Sequence, residues 1–209
     1  MSILVLTSDT LSSPAAAGQI EYSSPIFTGT PIGTQRGIVP TQQYYRLNAD
    51  LAGANVSTVQ SLFNVGVTLS ASTVYEFEIV TMLSKTAGTT SHTVGFGIGG
   101  TATLNNIAYY TIGNPSTVSG AGAGMSGAGS YGLVQTAANT QFVSAQTSAS
   151  LWLPLMIKGT VSINAGGTFI PQYTLSAAPG GAYSTAAGSY IRINPLSASG
   201  AATNVGTWA

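Results

Sequence analysis

The segment TVYEFEIVTML at positions 73–83 decides the fold class of this chain of 209 residues. In an extended conformation, Tyr75, Phe77 and Ile79 share one face, and Glu76 and Glu78 share the opposite face. A period of two residues is typical of a β-strand that buries one side against a core. The segment therefore predicts a half-buried strand.

Similar β-rich runs recur along the whole chain, separated by Gly, Pro, Asn, Ser or Thr. This spacing is typical of a sandwich or barrel, and no stretch has the pattern of a long amphipathic helix. We predict an all-β protein, with a jelly-roll β-sandwich over residues 19–209 and a short N-terminal arm and linker over residues 1–18. Pro154 and Pro171 interrupt two runs and predict sheet edges or bulges there. The predicted strands are 19–28, 38–47, 61–69, 73–83, 92–98, 107–112, 131–136, 141–144, 150–163, 168–175 and 189–193.

Two segments differ from this pattern. The first is the predicted arm, whose apolar residues are candidates for contacts in an assembly: Ile3, Leu4, Val5, Leu6 and Leu11. The second, TVSGAGAGMSGAGS at 117–130, consists almost entirely of small residues and cannot build a core. It is interpreted either as a flexible loop or as a contact where backbones approach closely.

Charge is scarce in this chain. Charged residues make up 5% of the sequence and the net charge is zero, whereas an ordinary domain has about 25%. The five Lys and Arg residues are scattered, which argues against nucleic-acid binding and against a polybasic membrane motif. A neutral surface favours association, so the expected partner is the chain itself.

Targeting and membrane signals are also missing from the sequence. The start, MSILVLTSDT, lacks the basic region of a signal peptide, so we expect synthesis in a host cytoplasm. The apolar run at 151–157 is interrupted by Pro154 and is too short for membrane insertion. With no cysteine, the chain has neither disulfides nor thiolate metal sites.

Candidate catalytic residues are few. His92 is the single histidine, and no Gly-x-Ser-x-Gly motif accompanies it, so we expect a strand-end histidine bonded to a neighbour. Glu76 and Glu78 have the residue type of a glycosidase pair, but cross-strand pairing with Arg46, Arg192 or Lys158 is the simpler interpretation. We expect no enzyme activity, no catalytic or cofactor-binding residue and no bound metal.

Tyrosines offer a second binding hypothesis, because exposed aromatic rings can stack on sugars. In a half-buried sheet they are also common as packing residues. The candidates for contact with a host surface glycan are Tyr44, Tyr45, Tyr109, Tyr110 and Tyr183.

Several motifs resemble a family of bacteriophage structural modules. Residues 14–22 (PAAAGQIEY) resemble a P-x-A-G-x-[IL]-E-[YF] segment of phage tail-fibre and virion proteins. From about residue 18 to the C-terminus, the chain is similar to modules at the end of fibrous or collagen-like phage proteins. The further motifs are 35–40, 43–48, 84–93, 158–161, 167–171 and 206–209.

The proportions of such modules are similar to trimeric heads of the C1q/TNF type, which implies a jelly-roll homotrimer. This chain departs from the pattern because it has no Gly-x-y shaft, and only about 18 residues precede the module. A capsid cement or decoration protein on the outer surface of the virion, bound to the major capsid protein, is therefore expected. The alternative is a receptor-binding module of a tail or head fibre. The resemblance supplies no catalytic or ligand-binding residues.

Overall fold

The computed structural model describes residues 6–115, 130–202 and 204–208, and the described residues form strands but no helix. Among them, no helix is long and apolar enough to cross a membrane. The first eight strands are β1 (Ile20–Ser23), β2 (Ile26–Gly29), β3 (Gly37–Ile38), β4 (Gln43–Arg46), β5 (Leu51–Ala52), β6 (Gln60–Ser61), β7 (Val67–Leu69) and β8 (Thr73–Lys85). The others are β9 (His92–Gly99), β10 (Thr103–Gly113), β11 (Ser130–Val134), β12 (Thr140–Gln146), β13 (Leu151–Ala165), β14 (Gly167–Leu175), β15 (Ser184–Thr185) and β16 (Tyr190–Ala198).

These strands build three antiparallel sheets. In the large sheet, β11, β10, β13 and β8 are neighbours in that order. The far side of β8 pairs with β16 and then β15, which in turn pair with β4 and β5. The second sheet has the order β12-β9-β14, with β6 and β7 both paired to β14, and β1, β2 and β3 form a small third sheet.

The pairings of nine strands are nested. β4 pairs with β16, β6 and β7 pair with β14, β8 pairs with β13, and β9 pairs with β12. Each later strand thus pairs with an earlier one, from the outermost pair to the innermost.

The core lies between the large and second sheets. Along β8, every odd-numbered residue from Thr73 to Lys85 is buried, as the period of two predicts. Phe77 packs against Phe169 of the second sheet with ring centroids 5.3 Å apart. Tyr109 packs against Phe96 of the second sheet at 5.5 Å. Aromatic rings therefore join the two sheets at the centre.

The predicted strands agree with the observed ones in position but not in continuity. The predicted strand 19–28 is a hairpin of β1 and β2, and 38–47 is divided between β3 and β4. Pro171 lies opposite Ile98 of β9, and on the other side of β14 it lies between the residues that pair with β7 and those that pair with β6. It is therefore inside the second sheet and not at a sheet edge. Pro154 lies just beyond Leu155, the last β13 residue paired with β10.

The predicted arm is in contact with the small sheet where the structure describes it. The backbone N–H of Asp9 donates to Tyr22 O at 3.1 Å, and that of Gly18 donates to Thr30 O at 2.7 Å. Arg36 bridges Glu21, at 2.8 Å, and the carbonyl of Ser12. Residues 9–18 are therefore tied down rather than a free linker. Ile3, Leu4, Val5 and the segment 117–129 lie outside the described residues, and Leu6 and Leu11 are half-buried.

Candidate functional site

The face of the large sheet that points away from the core, the outer face, carries four exposed large apolar side chains. We call this cluster the apolar patch: Tyr110, Ile112, Leu133 and Met156. Tyr110 lies opposite Leu133, and Ile112 lies opposite Met156, so all four side chains share one face. The patch spans β11, β10 and β13 at one edge of the sheet. A contiguous apolar surface of this kind marks a contact site more often than isolated exposed residues do.

Charged residues are concentrated on the same face, although they are rare in the chain. Lys158 pairs with Glu76 at 3.1 Å, and Arg192 pairs with Glu78 at 2.7 Å. Register places Arg46 on this face as well, so the face holds five of the ten charged residues in the sequence. The predicted cross-strand pairing of the two glutamates is confirmed.

The environment of Glu78 does not fit a general acid. The hydrogen bond from Arg192 lowers the pKa of Glu78 below its usual value, and Tyr190 OH donates a second bond at 2.8 Å. A general acid in glycoside cleavage needs a raised pKa. At this position the carboxylate holds two strands together.

Adjacent tyrosines point to opposite faces of the sheet. Tyr44 pairs with Arg192 and its ring lies 5.7 Å from that of Tyr190 on the outer face. Tyr45 pairs with inward-facing Ile191 and meets Phe63 edge-on at 6.2 Å. The two rings therefore cannot form one stacking platform, because neighbouring residues of a strand alternate in direction.

Two of the predicted glycan-facing tyrosines are buried, and the prediction is wrong for them. Tyr109 is 1% exposed, whereas its neighbour Tyr110 is 56% exposed. Burial raises the pKa of Tyr109 to about 12. Tyr183 is fully buried, and burial raises its pKa far above the usual range. Only Tyr44, Tyr45 and Tyr110 remain accessible among the five candidates.

His92 is a packing residue in this structure. It is buried, and its Nδ1 donates to the carbonyl of Thr90 at 2.7 Å. Its Nε2 therefore accepts the hydroxyl proton of Tyr183, also at 2.7 Å. Both ring nitrogens are satisfied by these two groups, which agrees with the prediction of a histidine bonded to a neighbour and leaves no nitrogen for a substrate.

Lys85 is a buried residue that its charge alone would not predict. Its side chain is only 2% exposed, and its Nζ donates to the carbonyls of Gly88 at 2.7 Å, Ala87 at 3.3 Å and Ser148. Burial lowers the pKa of this amine. The alternation in β8 indicates that Lys85 is buried, because residue 85 continues the series of buried odd-numbered residues. Lys85 ties the loop after β8 to the loop before β13.

An aromatic cleft of about 350 Å³ opens at the edge of the sandwich between β4 and β7. None of the residues that line it is charged. We call this site the edge cleft; it is lined by Gln43, Tyr44, Tyr45, Phe63, Val65, Gly66, Val67, Thr68, Phe169, Pro171, Ile191 and Ile193.

Metal coordination finds no support in the described residues. Within those ranges, no three His, Cys, Asp or Glu side chains come together in a group that could hold an ion. Asp50 instead accepts the backbone N–H of Ala187 at 2.7 Å, and Asn55 accepts that of Gly180 at 2.9 Å. These side chains cap loops.

Comparisons with protein-family models, with curated proteins and with solved structures find no match to this chain. The resemblance to phage structural modules therefore stays a prediction.

Proposed function

We propose that this protein is a non-enzymatic structural protein of a bacteriophage virion surface, a homotrimer that decorates and stabilises the head. The observation that carries the proposal is the apolar patch, an exposed cluster of four large apolar side chains in a protein with no net charge. Such a surface gains free energy when a second protein covers it. The assignment to a virion rests on the motif resemblance.

The nested strand pairing supports a jelly-roll subunit. In a jelly roll, eight strands in two sheets are wound so that the first pairs with the last and the middle two pair with each other. The pairs β4 with β16, β8 with β13 and β9 with β12 follow this order. The hairpin of β10 and β11 extends the large sheet beyond the nested strands, and it carries three of the four residues of the apolar patch.

Attachment to the head would be multivalent. Three copies that each bind a capsid protein weakly bind together with much higher avidity. The ion pairs on the outer face are formed within the chain, so few free charges remain there for salt-sensitive contacts. Binding to the capsid should therefore change little with ionic strength.

A receptor-binding module is the second candidate function. Exposed Tyr44 and half-buried Tyr190 form an aromatic pair beside Arg192 on the outer face. Aromatic rings next to polar groups suit a sugar ligand, because the ring packs on C–H groups while the polar groups bind hydroxyls. Tyr44→Ala would weaken such binding, whereas it leaves the apolar patch intact.

One experiment separates the two functions. Purified protein is added to virions or heads that lack it, and the particles are reconstructed by electron cryomicroscopy in low and high salt. Density over the head in both salts supports the decoration role. Density on the tail, together with inhibition of adsorption by the free protein, contradicts it and favours the receptor-binding role.

A further inference from the structure

A cavity of about 520 Å³ lies where the predicted arm meets the small sheet and the end of β16. Its walls are residues 11–15, the hairpin of β1 and β2, the side chains at positions 34 and 36, the end of β16 and residues 204–206. We call it the arm cavity. Ligand-binding cavities measure about 300–1,000 Å³, so the arm cavity is large enough to hold a small molecule.

Hydroxyl groups are the commonest polar groups in the lining of the arm cavity. Seven of its sixteen described lining residues are serine or threonine, and they come from four separate segments of the chain. A hydroxyl group can donate one hydrogen bond and accept two, and it rotates to suit its partner. Such a lining matches a ligand that carries several hydroxyl groups of its own.

Thr28 brings to the arm cavity a hydroxyl group that the fold leaves unpaired. It is 2% exposed, and its Oγ1 has no hydrogen-bond partner among the described residues. Thr28 shares one face of the hairpin with Ile26 and with Ser23, which lies opposite Ile26, and all three line the cavity. A buried hydroxyl without a partner is costly, and a ligand that bonds to it removes that cost.

The charge of the arm cavity is balanced within the chain. Arg36 is the one charged residue among the described residues of the lining. Its guanidinium is bound to the carboxylate of Glu21 at 2.8 Å and to the carbonyl of Ser12 at 2.7 Å. An anion would compete with Glu21 for Arg36, and a cation would meet no free carboxylate in this lining. The arm cavity therefore favours a neutral ligand.

We propose that the arm cavity binds a small neutral saccharide. The lining hydroxyls bind the hydroxyls of the sugar, while Leu11, Ile26 and Val205 pack against its C–H groups. A few placed polar groups within an otherwise apolar wall give such a site its specificity. Neither the apolar patch nor the pair of Tyr44 and Tyr190 lines this cavity, so the proposal depends on neither candidate function above.

The first test is titration of the full chain with neutral monosaccharides, followed by ligand-observed NMR. The probes are hexoses, deoxyhexoses and N-acetylhexosamines, and inorganic phosphate is the anionic control. We expect at least one sugar to bind with a Kd in the millimolar range or below, and phosphate not to bind. The absence of binding by every sugar would overturn the proposal. Binding of phosphate in place of the sugars would overturn it in favour of an anion site.

Thr28→Val locates the ligand, because valine has nearly the shape of threonine but no hydroxyl group. The loss of one hydrogen bond should weaken sugar binding about 3- to 10-fold. The matched control is Thr30→Val: Thr30 is also 2% exposed, and its Oγ1 is also unpaired among the described residues, but it does not line the arm cavity. We expect unchanged affinity for this control. Equal affinity of the two variants would place the sugar elsewhere and overturn the proposal.

A second variant fills the arm cavity instead of removing a hydroxyl group. Ala198 is exposed and lines the cavity, so Ala198→Phe should abolish sugar binding. Binding retained by this variant, with the fold intact by circular dichroism, would contradict the proposal.

The source of the sugar is distinguished with the methyl glycoside of the monosaccharide that binds, since its anomeric oxygen is substituted as it is in a polysaccharide. Retained binding of the glycoside supports a site for the end of a polysaccharide chain. Lost binding supports a site for the free sugar.

Discussion

A buried lysine without a carboxylate partner is the most unusual residue in the described part of the chain. The ammonium of Lys85 is bound by backbone carbonyls from two loops, after β8 and before β13. Ammonium hydrogen bonds of this kind are stronger than neutral ones. Lys85 therefore holds these two loops together at one end of the sandwich.

Lys85→Met should destabilise the protein because methionine has a similar shape but no donor. Buried carbonyl oxygens left without a donor cost about 1–3 kcal/mol, so the free energy of unfolding should fall by roughly that amount. The matched control is Lys158→Met, which removes an exposed ion pair with Glu76 and should cost about 0–1 kcal/mol. Urea unfolding monitored by fluorescence measures both. Equal effects at the two positions would contradict the role of Lys85.

At the scale of single residues, the sequence predicts which face of a strand a side chain occupies better than it predicts which residue that side chain contacts. The alternation of β8 put Glu76 and Glu78 on one face, and the structure pairs them with Lys158 and Arg192. Tyr109 was a candidate for glycan contact because no local pattern separates it from Tyr110. Strand β10 is buried on one face only, and which face that is depends on contacts with distant strands.

Strands β10 and β13 approach each other closely at one glycine. A Cβ atom built on Gly159 would overlap the carbonyl of Ala108 and the Cα atom of Tyr109, which lies 2.5 Å away. By contrast, a Cβ atom on Gly132, in β11, meets nothing within 4 Å. A side chain at position 159 is thus excluded by backbone, which cannot move without disturbing the large sheet.

Gly159→Ala should lower the free energy of unfolding by about 1–3 kcal/mol, because the extra carbon forces the two strands apart. Gly132→Ala should be neutral or stabilising by up to about 1 kcal/mol, since alanine restricts the unfolded chain. Thermal unfolding followed by circular dichroism distinguishes the two. A stable Gly159→Ala variant would mean that β10 and β13 are not in the register described.

At the scale of the strands, the positions of the long strands could be predicted from the sequence, because a long β-rich run is recognisable on its own. Strands β8, β9, β13 and β14 were all predicted near their observed bounds. The two-residue strands β5 and β15 were missed, because pairs of this length have no period of their own and exist only through their partners. The division of predicted strand 38–47 follows from Pro40, which lacks a ladder donor.

At the scale of the molecule, the spacing of the β-rich runs predicts an all-β sandwich, and the described residues form antiparallel sheets of this class. Which strand pairs with which was beyond the sequence, because the pairs join segments far apart in the chain. β4 and β16, for example, are more than 140 residues apart. The apolar patch could not be predicted from the sequence either. Its four residues belong to three strands, and only the pairing register brings them together: Tyr110, Ile112, Leu133 and Met156.

The central claim is that the protein works by assembly through the apolar patch. The most direct test is the mass in solution at micromolar concentration, measured by light scattering, for the wild type and for Ile112→Lys/Leu133→Lys. The account predicts three times the chain mass of 21.1 kDa for the wild type and the mass of a single chain for the variant. The control Val59→Lys, at an exposed apolar residue outside the patch, should stay trimeric. A monomeric wild type, or a variant that remains trimeric, would contradict the account.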